Sequence, residues 1–142
     1  MKKRIWLLPL LILTSVLLTG CALQTVNEMY ALPKRSKEYD SLQSAIDSAM
    51  YGLSYSAPVS GENQQTVQMA DLDGDGVEEY IVFAQGSSSN PLQVLIFRQE
   101  EDGTCRLMEV IQSNGSAFEQ VEYVQMDDAP GYELVVGRQL SD

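Results

Sequence analysis

A mainly β fold, an antiparallel meander with one short N-terminal helix, is what this 142-residue sequence predicts. Three observations carry that prediction. After residue 63, six short runs rich in β-branched and aromatic residues alternate with clusters of Gly, Pro, Asp, Asn and Ser, the punctuation of strands and turns. Two of those runs, 80–84 and 92–97, are apolar at both parities, as expected of strands covered on both faces. Helical periodicity after the N-terminal segment is confined to one stretch that precedes all six runs.

That stretch runs from 37 to about 50. Leu42, Ala45, Ile46, Ala49 and Met50 recur at spacings of three and one and so share one face, and Tyr39 extends the stripe backwards. Asp40 followed by Gln43 suits a capping pair at its start, and Gly52 suits a stop. A helix this short is marginal alone, so its stripe must pack, and the sheet downstream is the expected partner. Pro58, Gly61 and Asn63 then mark a loop, and strands are expected over 66–70, 79–84, 92–98, 104–111, 118–126 and 133–136. Gly86 to Pro91 breaks one pair of strands, and Glu101-Asp102-Gly103-Thr104 reads as a hairpin turn.

The N-terminus reads as targeting. Lys2, Lys3 and Arg4 precede an uncharged apolar run from 5 to about 18 that ends in Leu18-Thr19-Gly20-Cys21. At about 14 residues the run is shorter than the roughly 20 needed to span a bilayer. Its end resembles the lipobox of bacterial prolipoproteins, which implies cleavage after residue 20 and a lipid on Cys21. The organisation expected is a lipoprotein signal peptide over 1–20, a tether over 21–36, helix and loop over 37–63, and a β-repeat region over 64–142. The protein would then sit on the extracytoplasmic face of a cell membrane, lipid-anchored, since acyl chains contribute about 0.8 kcal/mol per buried methylene.

Charge and composition exclude several functions. All 20 acidic residues but only six of the nine basic ones follow position 20, which leaves that part at −14 and makes nucleic acid a poor partner. Lys34, Arg35 and Lys37 form the one basic cluster there, in or beside the tether. The sequence has no histidine, which removes Ser-His and Cys-His nucleophile pairs and the usual zinc sites. With Cys21 acylated, Cys105 has no disulfide partner and is expected to be a small packed residue.

The sharpest motif is Asp71-Leu72-Asp73-Gly74-Asp75-Gly76-Val77-Glu78-Glu79. Side-chain oxygens at positions 1, 3 and 5, glycine at 6, a backbone carbonyl at 7 and a carboxylate at 9 are what a loop coiling around a hard cation requires. Position 12 is Val82 where an EF-hand has glutamate, and a strand-forming run follows where an EF-hand has a helix. This segment, from 67 to 83, resembles the FG-GAP or VCBS repeats of integrin-type β-propellers. The resemblance implies propeller-blade-like repeats and calcium held by Asp71, Asp73, Asp75, the Val77 carbonyl and Glu79, with Glu78 the competitor for the last place. A degraded copy follows at 124–136, where Glu133 lies 54 residues after Glu79, a spacing that suits a four-stranded blade. Its turn has lost the alternating aspartates, so a tight turn without metal is expected there. One complete repeat and the start of a second imply either a fragment of a longer propeller or a small open β-domain whose edges the helix covers.

The function expected is a noncatalytic, calcium-stabilised binding or scaffold module whose ligand is a protein or a glycan. The alternative is a carboxylate-dependent cell-envelope hydrolase, a glycosidase, which would need two acids about 5 to 9 Å apart outside the metal loop. A solute-binding receptor of two α/β lobes needs a longer chain.

Overall fold

The computed structural model describes residues 36–140. The expected signal peptide, Cys21, Lys34 and Arg35 lie outside the described residues. Helix α1 (Lys37–Ala49) starts at Ser36, whose Oγ accepts a hydrogen bond from the Tyr39 amide at 3.2 Å. The cap is therefore Ser36, not the Asp40–Gln43 pair; Asp40 lies in the first turn, beside the positive end of the helix dipole, and Gln43 instead donates to Asp47 at 2.8 Å. After the Met50 C-cap, the positive φ of Gly52 turns the chain out of the helix.

Seven strands follow: β1 (Ser54–Tyr55), β2 (Val67–Ala70), β3 (Glu79–Gln85), β4 (Leu92–Gln99), β5 (Cys105–Ser113), β6 (Ala117–Val124) and β7 (Glu133–Gln139). The protein is mainly β, with antiparallel sheets and one helix among the described residues. Six strands coincide with the expected runs. The two-residue β1 was not expected, because so short a pairing leaves no periodicity to read.

The meander is not continuous. β3, β4 and β5 are neighbours in order, and β1 and β2 pair with the other edge of β3, β1 opposite 84–85 and β2 opposite 79–82. The chain then leaves this sheet, and β6 and β7 form a separate two-stranded sheet. Asn114, Gly115 and Ser116 make the crossing, with Gly115 at φ +130 and an added Cβ 2.7 Å from the Gln139 carbonyl oxygen, so only glycine suits the corner.

Three layers result, and the twofold period of the strands explains them. One face of β3 and β4 presents Ile81, Phe83, Leu92 and Val94 to Phe118 and Val121 of β6, with Leu134 and Val136 of β7 packed alongside. Phe83 and Phe118 meet edge to face, with ring centroids 5.1 Å apart. The opposite face presents Val82, Ala84, Leu95 and Phe97 to Ile46, Leu42, Ala45, Ala49 and Met50 of α1. The helical stripe packs on the sheet as its periodicity requires, although Tyr39, half exposed, is not part of that cluster.

Candidate metal centre

The acidic loop joins β2 to β3 and is folded by its own carboxylates. Asp71 Oδ1 and Oδ2 accept from the Gly74 and Gly76 amides at 2.7 and 3.0 Å, Asp73 Oδ1 accepts from Asp75 at 3.2 Å, and Asp75 Oδ1 accepts from Val77 at 2.8 Å. Short acidic side chains that bond the backbone two to five residues onward are the reason this composition makes a compact turn.

Of the five expected ligands, Asp71, Asp73 and Glu79 converge, each offering an oxygen within 4.8 Å of the others. Such a group of hard oxygens could hold a metal ion. Asp75 is not among these converging acids, its Oδ1 accepting from the Val77 amide; Val77, whose expected ligand is its backbone carbonyl, follows two residues on with its side chain half exposed. Between the two candidates for the last place, Glu79 is the buried one, 3% exposed, and Glu78 faces solvent.

Sequence reasoning missed Arg98. Its Nε and Nη2 donate to Glu79 Oε1 at 3.0 and 2.9 Å, and Nη2 also pairs with Asp73. The buried Glu79 carboxylate is thus fully engaged, its other oxygen accepting from the Leu72 amide at 2.9 Å. A cation already sits against two of the three converging carboxylates, supplied by the next strand of the sheet. The signal was the register: Tyr80 opposes Phe97, so Arg98 falls opposite Glu79, but sequence alone does not fix which residues of two strands oppose each other.

The second loop, between β6 and β7, repeats the first at a spacing of 54. β2 pairs with β3 through Val67↔Val82 to Ala70↔Glu79, and β6 pairs with β7 through Val121↔Val136 to Val124↔Glu133. The Leu72 amide bond to Glu79 recurs as Met126 to Glu133 at 3.0 Å, and the Asp75 amide bond to Asp73 recurs as Ala129 to Asp127 at 2.8 Å. No converging acids join Asp127, Asp128 or Glu133 into a metal-ligating group among the described residues. The two loops touch: the Tyr132 amide donates to the Asp71 carbonyl at 2.9 Å, and a Cβ on Gly131 would lie 2.8 Å from the Leu72 carbonyl oxygen. Gly74 faces the Pro130 backbone at still closer range, so glycine is required on both sides of the contact.

Two further groups complete the electrostatics. Gln68, buried, donates from Nε2 to the Asn63 and Gln65 carbonyls at 3.0 and 2.8 Å and accepts on Oε1 from the Tyr123 hydroxyl at 2.7 Å. Burial pushes the Tyr123 hydroxyl well above its ordinary pKa. Burial also raises the Cys105 thiol, which packs beside the α1-facing core as a small residue while its amide donates to Ser41 Oγ at 2.8 Å.

Comparison with known proteins finds no matching family model, no matching curated protein and no matching solved structure. No helix among the described residues is long and apolar enough to cross a membrane.

Proposed function

We propose that the chain is a bacterial lipoprotein, anchored through a lipid on Cys21 to the extracytoplasmic face of a membrane, whose folded part is a calcium-stabilised noncatalytic binding or scaffold module. The convergence of Asp71, Asp73 and Glu79 carries the reading of the ion. Three carboxylate oxygens match the preference of calcium for hard ligands in a flexible cage, and magnesium, which holds its water and demands a smaller octahedron, matches it less well. Asp75 and the Val77 carbonyl would complete the ligand set that the repeat resemblance implies. The lipobox Leu18-Thr19-Gly20-Cys21 supports the anchor. The ligand of the module is a protein or a glycan.

The test is a calcium titration of the full chain, followed by calorimetry and by thermal melting with and without chelator. Calcium at ten times a millimolar-range dissociation constant should stabilise the fold by about 1.4 kcal/mol. Asp73→Ala should abolish the response and Asp128→Ala, in the second loop, should keep it. No heat of binding at millimolar calcium would return the loop to an acidic turn. Metabolic labelling with a fatty-acid analogue checks the anchor in the same cells: the parent should be labelled, Cys21→Ser should not, and an unlabelled parent would refute the lipoprotein reading.

A further inference from the structure

The internal repeat shows what stands beside each second strand, and the two copies differ there. In the first copy β3 is paired on both edges, with β2 on one side and β4 on the other. In the second, β7 pairs with β6 and with no other strand among the described residues. The far edge of β6 is covered, since its Phe118 and Glu119 carbonyls accept from the Val59 and Ser60 amides at 3.1 and 2.9 Å. The open edge is therefore that of β7, at the position that β4 occupies on β3.

A cavity of about 250 Å³ lies on that side, lined by Val94, Ile96 and Ile111 of the large sheet and by Leu134, Val136 and Arg138 of β7, with Ser113 at its margin. No residue of β6 lines it. β6 lies over β3 through Phe118 and Phe83, so the cavity is where a strand added next to β7 would project its inward side chains.

Two charges mark the ends of this edge. Glu133 uses Oε2 on the Met126 amide, as Glu79 does on Leu72, but the oxygen equivalent to the one Arg98 engages on Glu79 has no partner among the described residues. Arg138, the third cation of the strands, has no ion pair among the described residues, whereas Arg98 and Arg106 are both paired.

We propose that the β7 edge is a docking site for an extended peptide segment of a partner protein, added antiparallel as an extra strand, with a basic residue beside Glu133, large apolar residues opposite Leu134 and Val136, and an acidic residue opposite Arg138. Main-chain hydrogen bonds along the edge supply affinity, and alternate side chains in the cavity supply selectivity. The edge of β5 suits such a partner less well, because it carries Arg106 and Glu109 and a register shift opposite Ile96 and Phe97, devices that discourage pairing. This inference rests on the binding-module reading and names its partner class. The calcium and lipid measurements do not involve the β7 edge, so failure of either is distinguishable from failure here.

The repeat also designs the probe. Carried over by 54 residues, the β3–β4 register sets Arg98 opposite Glu133 and Gln93 opposite Arg138. A fluorescent synthetic peptide spanning 92–99 of this chain and carrying Gln93→Glu is titrated with the full chain and followed by anisotropy. Saturable binding is expected, weakened by about fivefold or more in Arg138→Glu and restored in that variant by the peptide carrying Gln93→Lys. Glu109→Arg on the β5 edge should leave binding unchanged. Arg138 and Glu109 are exposed, so neither change threatens folding. Absence of binding at about 1 mM protein, a concentration that would detect even a 4 kcal/mol interaction, overturns the proposal. Binding that Glu109→Arg reduces and Arg138→Glu does not would overturn it too, because the peptide would then sit on β5.

Discussion

The hairpins β2–β3 and β6–β7 share a register, a carboxylate that closes the loop onto a backbone amide and an aspartate turn, yet only the first gathers three acids and an arginine. They also stack in the same sense. Val82 on β3 faces the helix, and its counterpart Val136 on β7 faces the large sheet, so each hairpin turns the same side toward the layer before it. The comparison separates what shapes the hairpin from what the site adds. The glutamate-to-amide bond is common to both, whereas Asp71, Arg98 and the alternating aspartates belong to one copy and concern charge.

The largest way to break this comparison is to remove the cation built into the first copy. Arg98→Ala leaves the Glu79 carboxylate buried without its charged partner, and breaking such a pair costs about 3 kcal/mol, toward the low end because the guanidinium is 28% exposed. Chemical denaturation of the full chain should register the loss, whereas Glu133→Gln, which keeps an acceptor for the Met126 amide and has no arginine to orphan, should cost less than about 1 kcal/mol. Calcium should recover more of the stability of Arg98→Ala than it adds to the parent, because the ion no longer shares Asp73 and Glu79 with a guanidinium. Equal calcium responses in parent and variant would show that Arg98 and the ion do not compete.

Strands, helix and loop positions were legible because each rests on local chemistry. Short β-branched and aromatic runs between turn residues gave β2 to β7, the stripe from Leu42 to Met50 gave α1, and the both-parity runs gave two covered faces. Pairing beyond neighbours was not legible. The meander expectation failed at Gly115, where the chain changes layer, because nothing local distinguishes a tight hairpin from a crossing of similar length. Arg98 and the Gly131–Gly74 contact were missed for the same reason, being properties of register and of stacking. The helix bounds were legible, but its cap was misjudged by one turn: Ser36 and Asp40 are both good caps, and the Ser36 bond to Tyr39 prevailed.

The smaller test sharpens the contact between the two hairpins. Tyr123 is the counterpart of Met69, but where Met69 is half exposed, the Tyr123 ring leans on the shared core and its hydroxyl donates to Gln68 of the first hairpin. Tyr123→Phe leaves the Gln68 Oε1 without its donor in a side chain only 7% exposed, at a cost of about 1 to 3 kcal/mol. Burial of the same hydroxyl sets an alkaline limit. Because the folded-state pKa of Tyr123 lies above its ordinary value of 10.0, both states keep the proton at neutral pH and the contribution is fully present. As the pH rises through 10.0 the unfolded chain ionises first, and the stability falls with increasing pH. Denaturation midpoints measured between pH 8 and about 11 should therefore decline less steeply in Tyr123→Phe than in the parent, although the variant starts lower. Parallel declines would mean that Tyr123 ionises as readily in the folded protein as in the unfolded chain, and that burial against the shared core does not hold its proton.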